Sequence, residues 1–203
     1  MYETTDKAIS QINKTIQHEF TRLRRTALAF DEVHIIERTV NECYNTILLA
    51  CERVYLDLAR KIYKETTDVD YLFTLWWLDK FLQRYDPVTK YVFSHEFDRK
   101  RARTFEAIVA SKKSDIQKEI KQAMYSLSVQ TTQYADEITD FAVLKGYEDA
   151  GIDRVRWVTE QDNRVCHTCQ ERDGKTYDVH KVPIKPHIRC RCYLLPATKH
   201  NSK

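Results

Sequence analysis

The sequence predicts a mainly α fold: long antiparallel helices, then a small C-terminal Cys/His-rich appendage containing short strands. Three observations predict it. Glycine occurs only at Gly146, Gly151 and Gly174, and the first 145 residues hold a single proline, Pro87, a composition that favours long helices over hairpins. Apolar residues in that part recur in steps of three and four. Four of the six cysteines fall between positions 166 and 192. Charge divides at the same place, with 22 basic and 24 acidic residues in 1–150 and 11 against 6 in 151–203. The expected units are a long-helix domain, 1–150, and a Cys/His-rich, zinc-binding module with a short tail, 151–203.

Within the first unit, Ile9, Ile12, Ile16, Phe20, Leu23 and Ala27 mark one face of a helix. A second stripe reads Val33, Ile36, Val40, Cys43, Ile47, Cys51, Val54, Leu58, Ile62, a coiled-coil-like seam of eight or nine turns. Cys43 and Cys51 lie on it as small buried hydrophobes, too far apart along a helix for a disulfide. Asp70–Tyr85 is apolar nearly all round, with Trp76 beside Trp77. It reads as a central helix, or as one whose tryptophan face docks another protein. Asp86-Pro87 marks the next boundary. Arg99-Lys100-Arg101-Ala102-Arg103 reads as a solvated helix face, with phosphate contact as the alternative. Ser114-x-x-Gln117 has the form of a capping box. The stripe after it runs Ile116, Ile120, Ala123, Leu127, Thr131, Tyr134, Ile138, Phe141, with Gly151 placed to cap its C-terminus.

Several function classes are disfavoured. A net charge of +3 is too balanced to mark a nucleic-acid binder by bulk charge. No apolar run approaches a membrane span, and Met1-Tyr2-Glu3-Thr4 does not open a signal peptide, so a soluble protein made in a cytoplasm is expected. The helical unit carries no glycine-rich phosphate loop and no nucleophile elbow. It reads as scaffold.

After Gly151 the helical period stops. Val155, Trp157 and Thr159 alternate with Arg154, Arg156 and Val158 as a short strand, and Tyr193-Leu194-Leu195 reads as a closing one. Turns are expected at Gln161-Asp162-Asn163 and Asp173-Gly174. Between them stands Cys166-x-x-Cys169, followed about twenty residues later by His187-x-x-Cys190-x-Cys192. Cys-x-x-Cys lets two thiolates reach one tetrahedral ion, and a second His/Cys pair completes the set. Some fifty residues with so few large apolar side chains need a staple. Structural zinc is the expected one; disulfides or free thiols are the alternatives. The expected ligands are Cys166, Cys169, His187 and Cys190, with Cys192 as the alternative fourth. An extended Cys190-x-Cys192 would point its sulfurs to opposite faces unless the backbone turns. His167 and His180 read as exposed polar residues. A closed four-ligand site is structural, not catalytic.

In order, Trp157-Val158-Thr159, Asp162-Asn163-Arg164-Val165-Cys166, Cys169, Asp173-Gly174-Lys175-Thr176-Tyr177 and His187-x-x-Cys190-Arg191-Cys192 resemble the signature of the Mu F-like phage head morphogenesis proteins, also called minor head or minor capsid proteins. The likeness covers roughly residues 150–196. It departs in one place: members commonly carry proline directly after the motif histidine, whereas here Pro186 precedes it. The resemblance implies a non-enzymatic virion component, associated with the phage portal and other head proteins, needed for head assembly or for DNA packaging and delivery. Assembly would take place in the host cytoplasm. Any DNA contact would fall to the arginines of the basic appendage: Arg154, Arg156, Arg164, Arg189 and Arg191. Two rivals are weighed against it. One is a zinc-containing DNA-binding or nuclease module, for which Asp162, Asp173 and His180 are the nearby candidates. The other is a toxin or effector that has borrowed the motif.

Overall fold

The computed structural model describes residues 2–74, 93–160 and 162–197. Among the described residues, four long helices come first: α1 (Tyr2–Ala29), α2 (Val33–Thr67), α3 (Phe93–Ala110) and α4 (Ile116–Asp149). A small unit follows: β1 (Arg154–Val158), α5 (His167–Arg172), β2 (Thr176–Asp178) and β3 (Tyr193–Pro196). The fold is mainly helical, as the sequence predicts. No described helix is long and apolar enough to cross a membrane.

The predicted stripes face one another. Ile12, Ile16, Phe20 and Leu23 of α1 are buried, as are Val40, Cys43, Ile47, Cys51, Leu58 and Ile62 of α2 and Ile120, Leu127 and Ile138 of α4. They join in one core with Phe97 and Ile108 of α3. Short turns over 30–32 and 111–115 make α1 and α2, and α3 and α4, antiparallel pairs, and Lys113 reaches Asp31 at 2.9 Å across those two turns. Tyrosine hydroxyls inside the core are satisfied: Tyr55 donates to the Thr131 carbonyl at 2.8 Å, and Tyr44 and Thr104 share a 2.7 Å hydrogen bond. Burial lifts the Cys43 and Cys51 thiols to about 12. Both are inert packing groups.

Some expectations are corrected. Val33 is half exposed because it opens α2 where α1 has already ended. Asp70–Thr74 is not helical, since α2 stops at Thr67 with Asp68 left-handed (φ 59°). The rest of that expected helix, with Trp76 and Trp77, and the Asp86-Pro87 boundary lie outside the described residues, as does Gln161. The capping box does not form. A turn in which the Asp115 and Ile116 amides donate to the Lys112 carbonyl leads into α4, so Asp115 holds the cap position, without a side-chain hydrogen bond. The basic run is matched locally, Arg99 to Glu96 and Arg101 to Asp98, while Lys100 reaches Ser126. That is the solvated-face reading.

The end of α4 is built as expected. Gly151 is left-handed (φ 73°), its amide donating to the Glu148 carbonyl and that of Ile152 to Tyr147, the two bonds of a Schellman cap. The chain thereby reverses into β1. The sheet has the order β2–β1–β3, antiparallel throughout, with Val155 opposite Tyr177 and Trp157 opposite Leu194. Val155 and Trp157 point inward and Arg154 and Arg156 outward, as their alternation requires. The inward face forms a second core with Leu144 and Tyr147 of α4, and the Tyr147 hydroxyl donates to the Leu194 carbonyl at 3.1 Å.

At Gly146 α4 passes close against the end of α2. A Cβ there would stand 2.9 Å from the Cγ2 atoms of both Thr66 and Thr67. Those methyls cannot swing aside freely, because each threonine hydroxyl is bonded back to its own helix, at Ile62 and Tyr63. Gly146→Val is expected to lower stability by about 2–3 kcal/mol through overpacking, read as a reduced denaturation midpoint with the far-UV helical spectrum retained at low temperature.

Candidate metal centre

The cysteine cluster is assembled from two local structures. Cys166 is the N-cap residue of α5 and Cys169 lies in its first turn, with Gln170 N–H donating to the Cys166 carbonyl at 3.0 Å. A helical turn brings residues three apart onto one side, so both sulfurs face the same way. The second strand of ligands arrives through a left-handed residue, Arg189 (φ 55°). This turn answers the difficulty expected of an extended Cys190-x-Cys192: both cysteines lie before β3, and each is only 3% exposed.

Two overlapping triads result. Cys166, Cys169 and His187 lie with their ligand atoms within 4.8 Å of one another, and so do Cys169, Cys190 and Cys192. Cys169 belongs to both. Its sulfur is 3.4 Å from that of Cys190 and 3.9 Å from His187 Nε2. A tetrahedral ion with metal–sulfur bonds of about 2.3 Å separates its ligand atoms by roughly 3.5–3.8 Å, so these distances fit ligands to one ion. His187 Nδ1 lies 3.1 Å from the Ile188 carbonyl, an acceptor only. A ring that donates to this carbonyl through Nδ1 keeps Nε2, the atom on the Cys169 side, as the nitrogen with a free lone pair. The donor set fits a metal ion: all four predicted ligands are gathered, and Cys192, the alternative, makes a fifth.

Electrostatics agree with that chemistry. Burial, then the sulfurs of Cys192, Cys190 and Cys166, push the Cys169 thiol far up. Burial likewise raises Cys190 to about 11. Thiols packed this closely give up their protons to a cation, since the thiolate is the ligand form.

The remaining candidates separate. Arg154 and Arg156 occupy the outward side of β1, whereas Arg164, Arg189 and Arg191 surround the cysteine cluster. Arg191 is committed to Asp162, at 2.7 Å from Oδ1. That contact, the Arg164 amide and the charges of both arginines hold the Asp162 carboxyl below its usual range. Asp173 Oδ1 accepts the Thr159 amide at 2.8 Å, and His180 lies 3.9 Å from Glu148. His167 and His180 are exposed, as expected. The three candidates of the nuclease reading thus face three different partners. Trp157 is buried beneath the Arg172 guanidinium, 5.1 Å from its ring centre.

Sequence reasoning missed a group on α4. Asp136 accepts the Arg189 amide at 2.8 Å, and Asp140 pairs with Lys185 at 2.7 Å. These bonds tie the loop that carries His187 to the long helix. The carboxylates read as ordinary polar positions because their partners come from a distant loop. No protein-family profile matches the chain, and no match was found among curated proteins or solved structures.

Chelation is expected to separate the cysteines into two classes. With the metal stripped, a thiol reagent should label Cys166, Cys169, Cys190 and Cys192 quickly, while Cys43 and Cys51 stay unlabelled until the bundle unfolds. Mass mapping of labelled peptides reads the result.

Proposed function

We propose that this chain is a phage minor head protein: a non-enzymatic virion component that associates with the portal in head morphogenesis and in DNA packaging or delivery. One observation carries the reading. Four residues of the stretch that resembles the head-protein signature hold the shape of the small module instead of converging on a reactive centre. Trp157 fills its core, Asp173 caps the end of β1 through the Thr159 amide, and Gly174 makes the turn into β2 at φ 73°. Asp162 anchors Arg191 between two cysteines of the cluster. A signature spent on shape suits an assembly protein, and the long bundle offers it an extended docking surface.

In this reading the metal is one structural Zn2+. Cys166, Cys169 and Cys190 hold it, with Cys192 as the fourth ligand in preference to His187. Cys192 is buried and His187 is exposed, and Arg164, Arg189 and Arg191 at the rim offset the extra negative charge of a fourth thiolate. The ion would close the module by crosslinking α5 to the segment before β3. The outward Arg154 and Arg156 remain the best-placed phosphate contacts.

Two measurements test this. Cys192→Ala should lower bound zinc sharply and His187→Ala should not; the reverse result makes His187 the ligand. Tagged full-length protein recovered from induced or infected cells should bring down the portal protein and other head components. Recovery without them, or cleavage of plasmid DNA by the purified protein with Mg2+ or Mn2+, contradicts the assembly role.

A further inference from the structure

A cavity of about 320 Å3 lies between α4 and the loop that precedes Cys190. One side is carboxylate: Asp136, Glu137 and Asp140 line it from α4. The other is apolar, formed by Val182, Pro183, Ile184 and Ile188 with Leu144 and Leu194. Asp140 pairs with Lys185; among the described residues no cationic side chain is hydrogen-bonded to Asp136 or Glu137, although the charges of Lys185 and Arg189 act on Asp136. Asp136 receives the backbone amide of Arg189, and Glu137 receives the Gln133 amide at 2.8 Å. Burial raises Glu137 to about 7, the mark of a carboxylate short of positive charge. A second, independent feature borders the same cavity. Trp157 is 1% exposed, and its indole N–H has no acceptor among the described residues.

We propose that this cavity receives an arginine side chain from a partner protein, its guanidinium held by Asp136 and Glu137 and its aliphatic stem lying against the apolar wall. Guanidinium supplies five donors in a planar fork, matching two adjacent carboxylates better than a single ammonium does. The stem explains why carboxylates and aliphatic residues line one cavity, since long cationic side chains bury their methylenes and direct the charge to polar groups. A peptide carbonyl beside that arginine is an acceptor of the kind the Trp157 indole lacks. This occupant does not depend on the phage reading.

Calorimetric titration of the full chain, purified without chelators, tests the proposal. N-acetyl-arginine methylamide is the probe, with N-acetyl-citrulline methylamide as its neutral isostere and agmatine as a free cation without the carbonyl. The arginine probe should saturate one site, with the citrulline analogue at least about tenfold weaker and agmatine weaker than the arginine probe. Glu137→Gln or Asp136→Asn should weaken the arginine probe by about tenfold while zinc content is retained. The ligand comparison on the unaltered protein decides the matter even where a variant fails to fold. Absence of saturation by about 10 mM, equal binding of citrulline, or unchanged affinity in both folded variants overturns the proposal. Agmatine binding as tightly as the arginine probe overturns the peptide source.

Discussion

Around Cys169 the chain solves a problem of size. The segment after Gly151 has a three-stranded sheet, one short helix and a core of few large side chains, of which Trp157 is the biggest. So little apolar surface does not hold a fold unaided. Cys169 sits where the two cysteine-bearing segments cross, within reach of the cluster's other sulfurs and of His187. A single ion there would fix α5, the loop carrying His187 and the approach to β3 at once. The turns at Asp162, Gly174 and Arg189 serve that convergence.

The module also leans on the bundle. α4 contributes to both cores, giving Ile138 and Ala142 to the helical one and Leu144 to the other. Lys185 and the Arg189 amide reach back to Asp140 and Asp136 on the same helix. Holding the loop that carries His187 and Cys190 against a rigid 34-residue helix limits its freedom before any ion binds, which lowers the entropy cost of closing the site. The cavity between loop and helix is a consequence of the same docking.

What the sequence disclosed followed periodicity and spacing. The stripes of α1, α2 and α4, the alternation of β1 and the Cys-x-x-Cys were legible because each is a local repeat that one element imposes. Gly151 was legible because a Schellman cap selects glycine. β2 was not: three residues, two of them exposed, carry no period. Cys192 stands in the sequence as the alternative fourth ligand only, because nothing local announces that Arg189 turns left-handed. Asp136, Glu137 and Asp140 look like a solvated face until Lys185 and the Arg189 amide arrive from a distant loop. Long-range partners, not propensities, decided those cases.

The account stands on the metal, and elemental analysis of the full chain purified without chelators tests it most directly. About one equivalent of zinc per chain, removed by chelation with loss of structure in 162–197 and retention of the helices, is the predicted result. Less than about a tenth of an equivalent, with Cys166, Cys169, Cys190 and Cys192 recovered as free thiols or as disulfides, would contradict it.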